Sequence, residues 1–99
     1  MKLRCTLRAL RHIHEIDNYL SERSPAAARH VGERIDEIVA LLMRFPDLGH
    51  DGSLPGTAEI VTPGLPYIIV YRIDSGDTLT ILGVYHGARL RPGQEDTSR

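Results

Sequence analysis

The sequence predicts an α+β fold with the element order β-α-α-β-β-β, in which an antiparallel sheet packs against a two-helix hairpin. In the first half of the chain, apolar residues recur at helical spacing in two stripes, separated by Ser24-Pro25. In the second half, two apolar runs flank the turn-forming segment Asp74-Ser75-Gly76-Asp77, which is the arrangement of a β-hairpin. These observations indicate a pair of helices that covers one side of a sheet.

Residues 2–6 are predicted to form a short strand, and a first helix follows with a single apolar stripe. The stripe consists of Ala9, Ile13, Ile16 and Leu20. Ser24 supplies a hydroxyl that caps the second helix, and Pro25 suits its first position. This helix extends to about Arg44, since Pro46 stops it. Because only about three residues join the helices, we expect them to pack as an antiparallel hairpin.

The remaining strands lie in the second half of the chain. Residues 46–58 are rich in proline, glycine and aspartate and are predicted to form a loop. A brief strand over 59–62 precedes the two hairpin strands, 67–73 and 79–85. Both hairpin strands are too apolar for a sheet with one solvated face, so we expect them to be central. The helices would then cover one side and leave the other side available to a partner.

Length and composition exclude several classes of protein. With 99 residues, the chain supports one domain, expected over 1–91 with a flexible tail at 92–99. A net charge of −1 gives no global attraction to nucleic acid, and no apolar run has the roughly 20 residues of a membrane helix. The single cysteine, Cys5, fits a reducing cytoplasm. We expect no cofactor and no metal site, because no pair among His12, His14 and His30 has the i, i+4 spacing with a nearby third ligand.

Five short segments of the chain resemble, in order and spacing, the RelE/ParE family of bacterial type II toxins. The segments are Pro25-Ala26-Ala27-Ala28, Phe45-Pro46-Asp47-Leu48-Gly49, Pro55-Gly56-Thr57, Pro66-Tyr67-Ile68-Ile69-Val70-Tyr71-Arg72 and His86-Gly87-Ala88-Arg89. The resemblance covers about residues 2–91, and members of that family are built as β-α-α-β-β-β. It therefore implies the same fold that the residue patterns predict.

The resemblance implies a cytoplasmic toxin that inhibits growth and stabilises a plasmid or chromosomal region. It also implies a cognate antitoxin that neutralises the toxin in a hetero-oligomer. RelE-like members cleave messenger RNA on the ribosome, whereas ParE-like members poison DNA gyrase, and the fold alone does not choose between these activities. A detoxified relative that only binds antitoxin is a further alternative, because similar ParE-like sequences often have arginine in place of His50 and Ala58.

The cationic residues of a ribonuclease are missing from the matching positions of this chain. RNA cleavage without a metal requires a base for the 2′-hydroxyl and donors for the phosphorane charge. In RelE-like nucleases the resemblance assigns these roles to lysines and arginines, where this chain has Ala58 or Glu59, Val61, Ile68 and Gly87. We therefore predict a ParE-like toxin that acts on DNA gyrase by binding, with the ribosome-dependent mRNA endonuclease as the alternative.

The candidate site residues lie at the end of the last strand, on the sheet and on the second helix. If the chain is a ribonuclease, the candidate catalytic residues are His86, Arg89 and Tyr85, because imidazole can act as a base and guanidinium binds phosphate. The candidates for contact with the target or with nucleic acid are Arg72, His50 and Arg91. The candidates for antitoxin binding, in a groove that receives an antitoxin helix, are Leu41, Leu42 and Phe45.

Overall fold

The computed structural model describes residues 1–75 and 77–87. Its elements in chain order are β1 (Lys2–Cys5), α1 (Leu7–Arg23), α2 (Pro25–Arg44), a short 3₁₀ helix (Pro46–Leu48), β2 (His50–Asp51), β3 (Ala58–Val61), β4 (Tyr67–Asp74) and β5 (Thr78–His86). The strands form one five-stranded sheet in the order β1-β5-β4-β3-β2. The candidate residues Arg89 and Arg91 and the predicted tail at 92–99 lie outside the described residues.

The predicted α+β class and the two-helix hairpin are confirmed, and β4 and β5 occupy interior positions of the sheet. The sheet is mixed and not antiparallel throughout, because β1 pairs with β5 in parallel. It also contains β2 in a segment predicted to be a loop, where His50 pairs with Glu59 and Asp51 pairs with Ala58. The alternation of side chains identifies a strand from its own residues, so it does not show whether a neighbouring strand runs parallel or antiparallel. A strand of two residues is too short to show any alternation.

Both helices start at a hydroxyl cap. The Thr6 hydroxyl oxygen accepts a hydrogen bond from the Ala9 amide at 3.1 Å, and the Ser24 hydroxyl oxygen accepts one from the Ala27 amide at 3.1 Å. Ser24 is also the residue at which α1 ends, so one residue joins the two helices and not about three. Its extended backbone, with φ of −161°, interrupts the helical path between them.

Strand β5 contains a β-bulge at Leu82. Tyr71 pairs with Ile81 and Val70 pairs with Gly83, so Leu82 has no residue directly opposite it on β4. The bulge reverses the alternation of side chains along β5: odd-numbered residues face the helices before it, and even-numbered residues do so after it. The buried residues of this face are Tyr67, Ile69 and Tyr71 on β4 and Leu79, Ile81 and Val84 on β5.

The hydrophobic core lies between this face of the sheet and the two helices. The contribution of α2 consists of Val31, Ile35, Ile38 and Leu42, which have the spacing of one helix face. From α1, Ala9 is fully buried, and Ile13 and Ile16 pack against the cluster. Leu42 is 0% exposed, whereas its neighbour Leu41 is 39% exposed.

The Tyr71 hydroxyl connects the central strand β4 to the segment that follows α2. It donates a hydrogen bond to the Pro46 carbonyl at 2.7 Å and accepts one from the Gly49 amide at 3.0 Å. A Cβ on Gly49 would lie 2.5 Å from this hydroxyl, so the close approach requires glycine. Burial raises the pKa of Tyr71, which keeps the hydroxyl protonated and able to donate.

Replacement of Leu42 tests the core assignment. We expect Leu42→Ala to lower the free energy of unfolding by about 2–5 kcal/mol, because it removes buried methyl groups and leaves a cavity. The matched control, Leu41→Ala, should cost less than about 1 kcal/mol, since its side chain is partly in solvent. Urea denaturation of both variants gives the comparison, and equal losses would contradict the assigned faces of α2.

Replacement of Tyr71 tests the connection between β4 and the Pro46–Leu48 segment. We expect Tyr71→Phe to lower the free energy of unfolding by about 1–3 kcal/mol, because the Gly49 amide and the Pro46 carbonyl lose their partner. The control is Tyr19→Phe, which removes a hydroxyl from an exposed side chain and should be close to neutral. Thermal and urea denaturation measure both, and a neutral Tyr71→Phe would show that the connection contributes nothing.

Candidate functional site

The face of the sheet that points away from the helices, called the outer face below, changes character from one end to the other. Strand register places its residues in rows across the sheet: Val61, Ile68 and Tyr85; Glu59, Val70 and Gly83; Arg72, Thr80 and Arg4; and Asp74, Thr78 and Lys2. The first row is apolar and aromatic, the second contains the buried Glu59, and the last two rows carry the remaining charges. Val61 is 55% exposed, so the apolar end reaches the surface.

The charged end of the outer face is organised around Asp74. Its carboxylate accepts a hydrogen bond from Thr80 Oγ1 at 2.7 Å and one from Arg72 Nε at 2.7 Å. The Thr80 hydrogen bond, and after it the Arg72 hydrogen bond, lowers the pKa of Asp74, and the charge of Arg4 acts in the same direction. Arg72, a candidate for target contact, is therefore exposed but oriented by its bond to Asp74.

The candidate residues Tyr85 and His86 leave β5 on opposite faces. Tyr85 lies on the outer face, where its ring covers Gly83 so closely that a Cβ there would lie 2.5 Å from the ring. His86 lies on the face of the helices and meets the Tyr67 ring edge-on, with 5.9 Å between ring centroids. A simple alternation of side chains would place both residues the other way round, and the bulge at Leu82 is the reason for the difference.

Both residues nevertheless border one cavity of about 860 Å³ between α1 and the ends of β4 and β5. Tyr19 and Glu15 line it from α1, and the nearly buried Tyr67 lines it from β4, where burial raises the pKa of its phenol. Within the described part of the chain, the lining contains histidine, tyrosine and one carboxylate but no lysine or arginine. Such a cavity can hold an aromatic or apolar group, but the described residues give it no cation for a phosphorane.

His12 on α1 is a structural residue of this region that the sequence analysis did not identify. Its Nδ1 accepts a hydrogen bond from the Val84 amide at 3.2 Å, so that nitrogen is unprotonated in this arrangement. The ring also meets Tyr85 edge-on, with 4.7 Å between centroids. Because β1 ends at Cys5, α1 supplies a partner for β5 beyond that point. A contact between residues 72 positions apart leaves no signal in the local sequence.

The candidates for antitoxin binding divide into buried and exposed residues. Leu42 is fully buried in the core, which corrects its assignment as a surface contact: the apolar stripe of α2 points this residue at the sheet. Leu41 and Phe45 are 39% and 51% exposed, and Arg44 lies over the Phe45 ring at 5.3 Å from its centroid. Leu41 and Phe45 are therefore exposed, and antitoxin binding stays a prediction for both.

The remaining candidates lie along β2 and β3. His50 is exposed on β2, with its Nδ1 3.0 Å from the Asp51 carbonyl oxygen, and faces Glu59 in the register. Ala58 pairs with Tyr71 and packs against the core, whereas Glu59 lies on the outer face and is 3% exposed. Ala58 and Glu59 are the two alternatives for one position at which the resemblance to RelE-like nucleases leads us to expect a cation. Of these two, Glu59 is therefore the one that lies on the outer face.

Two further properties concern the residues that the structure describes. No three histidine, cysteine, aspartate or glutamate side chains lie close enough together to hold a metal ion in residues 1–75 and 77–87. Neither described helix combines the length and the apolarity that crossing a membrane requires.

Comparisons with known proteins identify the relatives of this chain. Residues 3–91 match the profile of a family described as the ParE toxin of type II toxin–antitoxin systems, parDE. The chain is 40% identical to protein Y4kP of Sinorhizobium fredii over 91 residues, which are 92% of this chain and 93% of that protein. It is 31% identical to Toxin RelE2 of Caulobacter vibrioides over 85 residues, 86% of this chain and 93% of that toxin. A solved structure titled as a chromosomal ParDE system from P. aeruginosa has the same fold, with a TM-score of 0.74 and 22% identity over 87% of this chain and 95% of that one.

The interactions of Asp74 predict a dependence of stability on pH. Its pKa in the folded protein lies below the ordinary value of 3.8, so its stabilising contribution is present above that value and is lost as the pH falls through the lower, folded pKa. We expect the wild-type free energy of unfolding to fall more steeply below pH 3.8 than that of Asp74→Asn. Urea denaturation at several pH values measures this, with Asp36→Asn on the exposed side of α2 as the control. Parallel curves for the wild type and Asp74→Asn would contradict the assignment.

Proposed function

Because the chain belongs to the ParE toxin family of type II toxin–antitoxin systems, we propose that it inhibits growth by binding DNA gyrase, without chemistry of its own. The family implies a cognate antitoxin that neutralises it. Action on gyrase places the toxin in the cytoplasm. Binding of gyrase without chemistry is supported by the row of residues at the apolar end of the outer face.

This row is the observation that carries the proposal. Val61, Ile68 and Tyr85 lie side by side on β3, β4 and β5, and Val61 and Ile68 occupy positions where the resemblance to RelE-like nucleases leads us to expect cations. The side chains of Val61 and Ile68 cannot donate hydrogen bonds to a phosphorane, whereas an exposed valine beside a tyrosine is suited to a protein interface. The cavity beside His86 likewise has no lysine or arginine among its described lining residues.

A ribosome-dependent mRNA endonuclease is the second candidate. It is supported by the 31% identity to Toxin RelE2 and by the position of His86 at the border of the cavity. In this alternative His86 acts as the base, Tyr85 assists it, and the phosphate is bound by Arg89, which lies outside the described residues. A detoxified relative that only binds antitoxin is distinguished from both by harmless expression in the absence of antitoxin.

Two assays on the purified chain separate these functions. We expect inhibition of DNA supercoiling by purified gyrase at a toxin concentration that leaves messenger RNA intact in a reconstituted translation reaction. Cleavage of messenger RNA on the ribosome with no effect on supercoiling would reject the proposal in favour of the endonuclease. Absence of both effects from a folded chain would favour the detoxified relative.

Variants of the two faces test the mode of action. We expect His86→Ala to retain gyrase inhibition within about twofold and Val61→Asp to weaken it at least about tenfold, since an interface residue at a contact centre contributes more than about 1 kcal/mol. The matched control is Leu54→Asp, which places the same charge on another exposed apolar residue, outside the row. The supercoiling assay measures the concentration for half inhibition. Cleavage of messenger RNA that is lost in His86→Ala and unaffected in Val61→Asp would instead support a catalytic histidine.

A further inference from the structure

The beginning of the chain combines exposed apolar residues with cations that form no salt bridge to the described residues. Leu3, Leu7 and Leu10 are 46%, 79% and 51% exposed, and the first carboxylate of the sequence is Glu15. Seven residues of β1 and of the first turns of α1 are called the N-terminal patch below: Lys2, Leu3, Arg4, Leu7, Arg8, Leu10 and Arg11. An exposed group of apolar residues surrounded by charge marks an interaction surface more often than isolated leucines do.

The patch includes the strand at one edge of the sheet that the described residues form. β1 is the outermost strand next to β5, and the Lys2 amide and the Thr6 amide donate to carbonyls of Asp77 and Ile81 at 2.8 and 3.0 Å. Successive backbone groups alternate in direction along a strand, so the amides and carbonyls of Leu3 and Cys5 point away from β5. In the parallel register with β5, these two amides have no partner on β5, so within the described residues they are available to an added strand.

The two sides of β1 differ in chemistry. The side chains of Lys2 and Arg4 lie on the outer face, since these residues pair with Thr78 and Thr80. Leu3 is directed to the opposite face with its partner Leu79. A strand added at this edge would present its side chains to the same two sides in alternation, so its best match alternates acidic and apolar residues.

The positive charge of the patch is not neutralised nearby. Among the described residues, no carboxylate lies within 4.0 Å of the four cations, Lys2, Arg4, Arg8 and Arg11. Asp77 is 3.8 Å from the amino group of Met1, and Asp74 is engaged by Arg72 while Arg4 acts on it from farther away. An acidic partner would therefore meet cations that are not already paired with acids among residues 1–75 and 77–87.

The same charges discriminate among possible occupants of the edge. A second copy of this chain would bring its own Lys2 and Arg4 against these cations, and such repulsion is a device that prevents pairing of sheet edges. DNA or an anionic membrane would match the cations but would leave the amides of Leu3 and Cys5 without a backbone partner. An extended acidic polypeptide satisfies the charges, the leucines and the backbone groups together.

We propose that the edge of β1 receives an extended segment of the cognate antitoxin in which acidic and apolar residues alternate. The proposal rests on the toxin–antitoxin assignment and is independent of gyrase as the target. The added segment forms a sixth strand, its backbone pairs with Leu3 and Cys5, and its carboxylates contact the cations of the N-terminal patch.

Hydrogen exchange tests the backbone pairing directly. The probe is the full-length protein encoded by the reading frame next to this chain, co-purified with it. We expect the Leu3 and Cys5 amides to exchange at least about tenfold more slowly in the complex than in the free toxin. A stable complex in which both amides keep their free exchange rates would overturn the proposal and leave the toxin–antitoxin assignment intact. Failure of that protein to bind at all would reject the partner itself, whatever the result of the supercoiling assay.

Binding measurements on variants test the contribution of charge. We expect Arg8→Glu to weaken the complex about tenfold at low salt and less at high salt, because the contacts are ionic. The matched control is Arg29→Glu on α2, an exposed helical arginine outside the patch, which should have no such effect. Equal affinities for the two variants would contradict the charge argument. Tight binding of a DNA duplex or of anionic vesicles without protection of the two amides would assign the patch to that ligand.

A proline substitution separates the backbone from the side chain. Leu3→Pro removes an amide that makes no bond to β5, so the fold should tolerate it at this edge. We expect Leu3→Pro to weaken antitoxin binding at least about fivefold more than Leu3→Ala, which keeps the amide. Thermal denaturation shows whether both variants are folded. If Leu3→Pro is unfolded, the comparison of Arg8→Glu with Arg29→Glu is used in place of the comparison of the Leu3 variants. Equal affinity of two folded variants would exclude backbone pairing at Leu3.

Discussion

Strands β4 and β5 pair with one extra residue in β5, and the faces of the functional side chains follow from that register. Up to Ile81, alternation along β5 is set by the burial of Leu79 and Ile81 against the helices. The bulge at Leu82 then buries Val84, turns Tyr85 to the outer face and directs His86 toward Tyr67. Since burying apolar side chains stabilises the fold, the core fixes the register, and the position of the candidate site residues is a consequence of the core.

The two ends of the outer face suit different kinds of contact. At one end, Val61, Ile68 and Tyr85 form an apolar and aromatic row, with Gly83 allowing the tyrosine ring to lie flat on the sheet. At the other end, Asp74 organises Arg72 and Thr80, and the cations of β1 continue the charged region to the edge of the sheet. Two proteins that bind these ends would meet different chemistry and need not compete, which is a simple way for a small toxin to recognise both a target and an antitoxin.

The two edge strands of the described sheet, β2 and β1, differ in their surroundings. β2 is short, and its loop is closed by hydrogen bonds that include the Gly52 amide donating to the Thr57 carbonyl at 2.9 Å. The Tyr71 hydroxyl connects the central strand to the Pro46–Leu48 segment that leads into this edge. β1, at the opposite edge, has backbone groups that point outward beside cations that form no salt bridge to the described residues. The proposed added strand would pair at the β1 side of the sheet, where the charge of Lys2 and Arg4 opposes association with a second β1 edge.

The sequence by itself determined the two helices, the Ser24 cap of the second, the hairpin strands and the resemblance to the toxin family. These features depend on local periodicity, turn residues and short motifs, which the order of residues displays directly. Only the tertiary structure decided that β1 runs parallel to β5, that Leu42 is buried while Leu41 is exposed, that His12 partners Val84, and that Tyr85 and His86 face opposite ways. These features depend on contacts between distant segments, and the faces of Tyr85 and His86 also depend on a bulge placed by core packing. Neither the distant contacts nor the bulge leaves a local pattern in the chain.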